Sequence, residues 1–383
     1  MRAYVFTDQA LAKHAGQFVW LAIDGEKVVN APFRRRYRVP AFPTFYVIDP
    51  ANGEVLIRWV GSASVTQLDK LFDEQSAAYR QRGTKSDGIE AVLAHADSLY
   101  NADQHAAAAA AYGEALSRAP ADWGEYGRVV DARLFALDQA DSAEACVALA
   151  EASLAKLRNT PHAATVVASG LSCAIGLPAD APRRKERIAE FERATRLVLA
   201  DPKLELTGDD RSGLWISLMD AREAEKDSVG YRQVAEQWSA FLDGEAARAK
   251  TPEARAVFDS HRLSAYIEIK HPEKAIPMLE QSVRDFPDDY NPHARLANAY
   301  KAMQSWDKAL AESDLALARA YGPRKLLIYQ NRVDILKGKG DMPAARKTLE
   351  EAIVYAKALP EGQRSNNTIA SLEKKLAGFT QTP

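Results

Sequence analysis

The chain has 383 residues, too many for one compact core, so two or more domains or a repeat array is expected. Apolar residues make up 47% and charged residues 27%, the balance of a soluble folded protein; a net charge of −2 excludes the basic footprint of a nucleic-acid or acidic-membrane binder. No apolar run approaches the roughly 18 residues that span a bilayer, and "MRAYVFTDQALAKH" lacks the apolar core and cleavage site of a signal peptide.

Residues 1–80 mix two periodicities. A first helix over "MRAYVFTDQALAKH" is followed by "FVWLAID" (18–24), an apolar, branched and aromatic run that reads as a strand. "NAPFRRRYRV" forms a short helix. "FYVID" (45–49) and "VLIRWV" (55–60) are two further strands joined through "DPANGE", whose Asn-Gly pair is a strong hairpin signal. "SASVTQLDKLFDEQSAAYR" opens on serines able to cap a helix and places Val65, Leu68, Leu71 and Phe72 on one face. Residues 81–88 are polar and glycine-bearing and read as a linker.

From residue 89 to about 360 the pattern is helical with a period of roughly 34 residues. Ala96, Leu99, Ala108, Tyr112, Ala115 and Pro120 mark one unit, and Leu263, Tyr266, Ala275, Leu279, Ser282 and Pro287 mark another with the same internal offsets. Ala297, Tyr300, Ala309 and Ala316 repeat it, as do Val333, Leu336, Ala345, Leu349 and Ala352 after a two-residue insertion. Small residues let the first helix of each pair approach the second closely, while aromatic and leucine positions fill the remaining groove. Between residues 123 and 250 the marks fade, but three more helix pairs are legible, giving about seven in all. The polar stretch 361–383 supplies a capping helix and tail. The spacing resembles that of tetratricopeptide (TPR) repeats.

The run from "FVWLAID" to "VPAFPTFYVIDPANGEVLIRWVGSASVTQLDKLF" resembles thioredoxin-like proteins. The fold class expected is therefore α+β/α, a truncated thioredoxin-like α/β domain (1–80) followed by an all-α TPR superhelical solenoid. Read from its residues alone, Pro43 is a trans-proline opening an edge strand, where a missing N–H does no harm. The resemblance implies instead a cis-proline at Pro43, flanked by Phe42 and Thr44, with the Phe42 backbone pairing with an extended substrate chain. Redox chemistry in that family needs Cys-x-x-Cys at a helix N-terminus, where the dipole lowers the thiol pKa. No cysteine precedes Cys146, so no catalytic residue is expected in this chain. The strand between the partners of 18–24 and 45–49 is absent too, so those two strands either close up and pair or leave the domain marginal. The simplest account is a start site placed too far downstream, or a gene fragment.

Cys146 and Cys173 lie in alanine-rich helical patterns; a disulfide is one reading, and unpaired, buried thiols are the expectation. The seven histidines are scattered and point to no metal site, and no cofactor is implied. "RRRYR" (34–38) reads as a solvated face, Asp24 as a turn aspartate, Trp20 and Trp59 as core or half-buried strand residues, and His14 as exposed. On the inner, partner-facing side of the first helix of each pair, the offsets place Asn298, Lys301, Asn331, Asp334 and Lys337. Ala294 stands where some TPR proteins have a lysine that clamps a terminal carboxylate. The partners expected are protein or peptide clients on the concave face, with no nucleic acid and no membrane. The function implied is thiol-disulfide exchange on clients, with this chain itself redox-inactive; the alternative is a non-enzymatic adaptor.

Overall fold

The computed structural model describes residues 5–37, 39, 42–61, 63–80 and 88–379. They pack as two units, one of Met1–Val19 with Val39–Trp238, the other of Trp20–Arg38 with Ser239–Pro383.

In the first unit, Asp8 accepts from the Ala10 N–H and caps a 3₁₀ turn over Gln9–His14. Strands β1 (Thr44–Ile48) and β2 (Val55–Val60) pair antiparallel with Thr44 opposite Val60 and Val47 opposite Ile57. The Asn-Gly turn forms as its sequence dictates. Gly53 takes a φ of +72°, which a side chain would resist, and the Asp49 carboxylate accepts from the Ala51 N–H. Helix α2 (Val65–Arg80) begins in a reciprocal cap: the Gln67 N–H donates to Ser64 Oγ, and the Ser64 N–H to Gln67 Oε1. Its Leu68, Leu71 and Phe72 join Leu11 and Ile57 in a small core.

Four helix pairs complete this unit: α3 (Ile89–Asn101) with α4 (His105–Arg118), α5 (Tyr126–Gln139) with α6 (Ala143–Leu157), α7 (His162–Gly176) with α8 (Arg184–Ala200), and α9 (Gly208–Ala224) with α10 (Ser228–Arg248). The boundary between units falls inside α10. The second unit continues with α11 (Pro252–Ala256) and α12 (Asp259–Glu268) against α13 (Ala275–Asp285), α14 (Tyr290–Ala302) with α15 (Trp306–Arg319), α16 (Lys325–Lys339) with α17 (Met342–Ala358), and α18 (Asn366–Gly378). The alanines of the period, Ala96, Ala108, Ala115, Ala297, Ala309, Ala316, Ala345 and Ala352, are fully buried at the helix crossings. A left-handed residue closes most of the turns inside the pairs: Asp103, Asp141, Arg183, Lys226, Lys270, Gln304 and Gly340. The helical part of the chain is thus a TPR-like array of helix hairpins.

Several expectations are corrected. Among the described residues the only sheet is the two-stranded hairpin, so no thioredoxin-like α/β layer is present in them. Residues 18–24 form no strand. Val19 is 87% exposed, Leu21 72% and Trp20 45%, because an apolar run becomes a strand only where a neighbour takes its backbone hydrogen bonds. The turn over 24–27 is held instead by groups of its own unit. Gln363 Nε2 donates to the carbonyls of Gly25 (2.9 Å) and Lys27 (3.1 Å), Tyr321 donates to Asp24 (2.8 Å), and the Arg324 N–H donates to Glu26 (2.7 Å). The short helix α1 (Ala31–Arg36) ends this segment, with Arg35 paired to Glu361. His14 is buried, not exposed. Cys146 on α6 and Cys173 on α7 are bonded to each other, with Cα atoms 6.1 Å apart, because consecutive pairs lay α6 against α7. The linker expected over 81–88 lies, except for Gly88, outside the described residues.

Candidate functional site

The most elaborate polar constellation lies where β2 meets the first helices of the first unit's pairs. α3 presents Asp97, Tyr100 and Asn101; α5 presents Arg128 and Asp131; α7 begins with His162. Helical spacing sets this grouping, since positions three and four apart share a face. Onto it β2 lays Arg58, only 6% exposed. The guanidinium stacks 3.8 Å from the centre of the Tyr100 ring and donates to Asn101 Oδ1 at 3.0 Å. Trp59 faces His162, ring centres 6.0 Å apart. Arg58 and Asp131 line a cavity of about 30 Å³ with Trp59, Tyr100 and Arg128, room for about two waters.

The electrostatics are those of a buried cluster of paired charges. Burial pushes the Asp97 carboxyl up, against the pull of Arg128 and the Tyr112 hydroxyl that donates to it. Burial works to lower Arg128, but the Glu125 and Asp97 carboxylates outweigh it and hold the guanidinium charged. Burial likewise opposes a charged His162, yet Asp131, 2.6 Å away, raises the imidazole above its usual value. At the rim, burial and then the neighbouring Glu125 carboxyl push Glu74 up to about 7. A planar cation stacked on an aromatic ring and hydrogen-bonded at one side is a geometry for recognition.

The positions involved repeat. Ala96 and Ala297 hold the same place in their helix pairs, 201 positions apart (297 − 96), so Asp97 corresponds to Asn298 and Tyr100 to Lys301. Lys301 therefore occupies the repeat position at which, in the first unit, Tyr100 stacks on Arg58 of β2, and Asn298 that of Asp97, whose carboxyl feels the Arg58 charge. Asn298 and Lys301 sit half-buried on α14; Asn331, Asp334 and Lys337 lie on α16, which touches α14. Asp334 and Lys337 are exposed, the Lys337 ammonium lying 5.3 Å from the Phe379 ring centre, whereas Asn331 Oδ1 is buried without a hydrogen-bond partner. Phe42, Pro43 and Thr44 belong to the other unit: the Phe42–Pro43 bond is cis, Phe42 is 55% exposed, and Thr44 opens β1. Arg58, Asp97, Tyr100 and Asn101 escaped the sequence reading; the 201-residue correspondence is a signal for Asp97 and Tyr100, and no sequence signal points to Arg58 or Asn101.

No family model matches the chain, and no curated protein does. Similar solved structures include a tetratricopeptide repeat protein from Parabacteroides merdae ATCC 43184, with a TM-score of 0.46 and 10% identity over 76% of this chain and 99% of that one. The TPR2AB domain of yeast Sti1 in complex with pHSP90 has a TM-score of 0.29 and 14% identity over 76% of this chain and 98% of that one. The Cut9–Hcn1 hetero-tetramer of APC/C has a TM-score of 0.36 and 13% identity over 81% of this chain and 54% of that one. At such scores the TPR-like description rests on this chain's own spacing and helix pairing.

Proposed function

We propose that the chain is a non-enzymatic polypeptide-binding adaptor, in which the face of α14 and α16 carrying Asn298, Lys301, Asn331, Asp334 and Lys337 receives an extended segment of a partner protein. One observation supports this above others: at the position equivalent to Lys301, Tyr100 of α3 stacks on Arg58 of strand β2. The test is an unbiased peptide-display selection against the full chain, followed by binding to a Lys301→Glu/Asp334→Lys variant. The expected result is a peptide bound by the native chain and lost, about 10-fold or more, by the variant with an unchanged melting curve. Peptides that bind both equally place the docking face elsewhere.

A second reading, thiol-disulfide exchange on clients, has one observation in its support: the Phe42 side chain is 55% exposed two residues before Thr44, which opens β1. The chain's two cysteines are bonded to each other, so it offers no thiolate nucleophile. An insulin-reduction assay on the 383-residue chain is expected to show no turnover above the reductant alone.

A further inference from the structure

Arg58 is a buried cation with no counter-ion beside it. The side chain is 6% exposed, yet among the described residues no carboxylate lies within ion-pairing distance of its guanidinium. Its contacts are the Tyr100 ring, 3.8 Å away, and Asn101 Oδ1, which accepts from Nη1. Nε is buried and has no hydrogen-bond partner. An arginine this far from water is as a rule paired, because a desolvated charge that meets no opposite charge is costly.

The neighbouring carboxyls are otherwise engaged. Glu125 pairs with Arg128, and Asp131 Oδ2 lies 2.6 Å from His162 Nδ1. Asp97 accepts from the Tyr112 hydroxyl, and burial pushes its carboxyl up, toward the neutral form. Arg58 is left as the uncompensated charge. It lines a cavity of about 30 Å³ together with Asp131 and the rings of Trp59, Tyr100 and Phe135. Asp131 Oδ1 is also buried without a hydrogen-bond partner. The cavity thus offers one unpaired donor, on a cation, and one unpaired acceptor. Its room for about two waters is also room for about four heavy atoms.

We propose that this cavity binds hydrogencarbonate, which accepts from Arg58 Nε through one oxygen and donates its O–H to Asp131 Oδ1. The anion supplies the missing charge, and its planar form suits a guanidinium and ring-lined walls. The two unpaired groups select the ligand. Acetate has the charge but no O–H, so it turns an oxygen or a methyl toward Asp131 Oδ1. Acetamide has an N–H donor but no charge. Phosphate and sulfate carry a fifth heavy atom and a tetrahedral outline. Since Arg58 stands on β2 and Asp131 on α5, the bound anion fastens the strand to the helix, a role separate from the α14 and α16 face.

The experiment titrates the full chain with hydrogencarbonate at about pH 8, against sodium chloride of equal ionic strength, and follows the Arg58 Nε–H signal in ¹⁵N–¹H spectra. One anion per chain is expected, with a Kd of about 1 mM for so small a ligand. At roughly twenty times that concentration the melting temperature should rise by about 3–7 °C. Acetate should bind about 5-fold more weakly or worse, since it leaves Asp131 Oδ1 unpaired, and acetamide should not bind. Arg58→Gln removes the charge, and Ala132→Leu fills the cavity, which Ala132 also lines, without touching one. Each should abolish the melting shift, and melting curves in chloride alone show which variants still fold. An Arg58 signal that stays in place up to about 100 mM hydrogencarbonate overturns the proposal. So does acetate or acetamide that binds as tightly, or a melting shift that persists in either folded variant.

Discussion

Replacing Arg58 by Met keeps the length of the side chain and removes its planar charge. The structure sets the cost. The guanidinium is nearly inaccessible, stacks on Tyr100 and donates to Asn101. A desolvated cation–π contact contributes about 2 kcal/mol, and a charge-assisted hydrogen bond about 1.5–3 kcal/mol. Against these stands the burial cost of the guanidinium, several kcal/mol, which the methionine avoids. Asp97 keeps the nearby charge of Arg128, so it is not left wholly uncompensated. The net destabilisation expected is about 1–2 kcal/mol, lowering the first unit's melting temperature by about 2–8 °C. Arg58→Lys, which keeps the charge but cannot stack a plane, should lose about half as much. Hydrogen exchange measured by mass spectrometry should show faster exchange over Val55–Val60 in both variants. A double-mutant cycle with Tyr100→Leu should give a coupling of about 1–2 kcal/mol. A loss below about 1 kcal/mol with no coupling would refute the docking of β2 through Arg58.

Other consequences are open to measurement. Reducing the Cys146–Cys173 bond frees a closed loop of 27 residues, worth about 3.5 kcal/mol of unfolded-state entropy, and should lower the denaturant midpoint; no change on adding dithiothreitol would count against the bond. Because Glu74 is raised toward about 7 in the folded chain, its protonated form adds stability that is fully present below about pH 4.5 and fades as the pH rises through about 7. Glu74→Gln, fixed neutral, should flatten that part of the pH–stability curve relative to the native chain, whereas parallel curves would remove Glu74 as its source. A Cβ at Gly362 would overlap the Ala31 carbonyl oxygen. Gly362→Ala should therefore loosen Trp20–Arg38 and speed limited proteolysis within it, with unaltered cleavage arguing against its docking.

How much was legible depends on how far apart the deciding atoms lie. The Asn-Gly hairpin, the Ser64–Gln67 cap and the buried alanine crossings could be read because each is fixed by residues a few positions apart, or by a period that repeats. Residues 18–24 misled for the same reason: their composition is that of a strand, and composition does not say whether a partner strand is in reach. Register alone placed Asn298 and Lys301 on α14 and Asn331, Asp334 and Lys337 on α16, whereas the contact on α3 had no such signal, since nothing local says that Arg58 crosses to Tyr100.

From the sequence alone came the helix pairs, their small-residue seams and the β-hairpin, all consequences of backbone periodicity and turn chemistry acting over one or two turns. Tertiary structure alone decided that Trp20–Arg38 packs with residues more than 300 positions away, that Cys146 meets Cys173, and that β2 covers the first unit's repeat face. Those outcomes depend on which completed surfaces find complementary shape and charge. That is a property of packed helices, and no stretch of the chain carries it by itself.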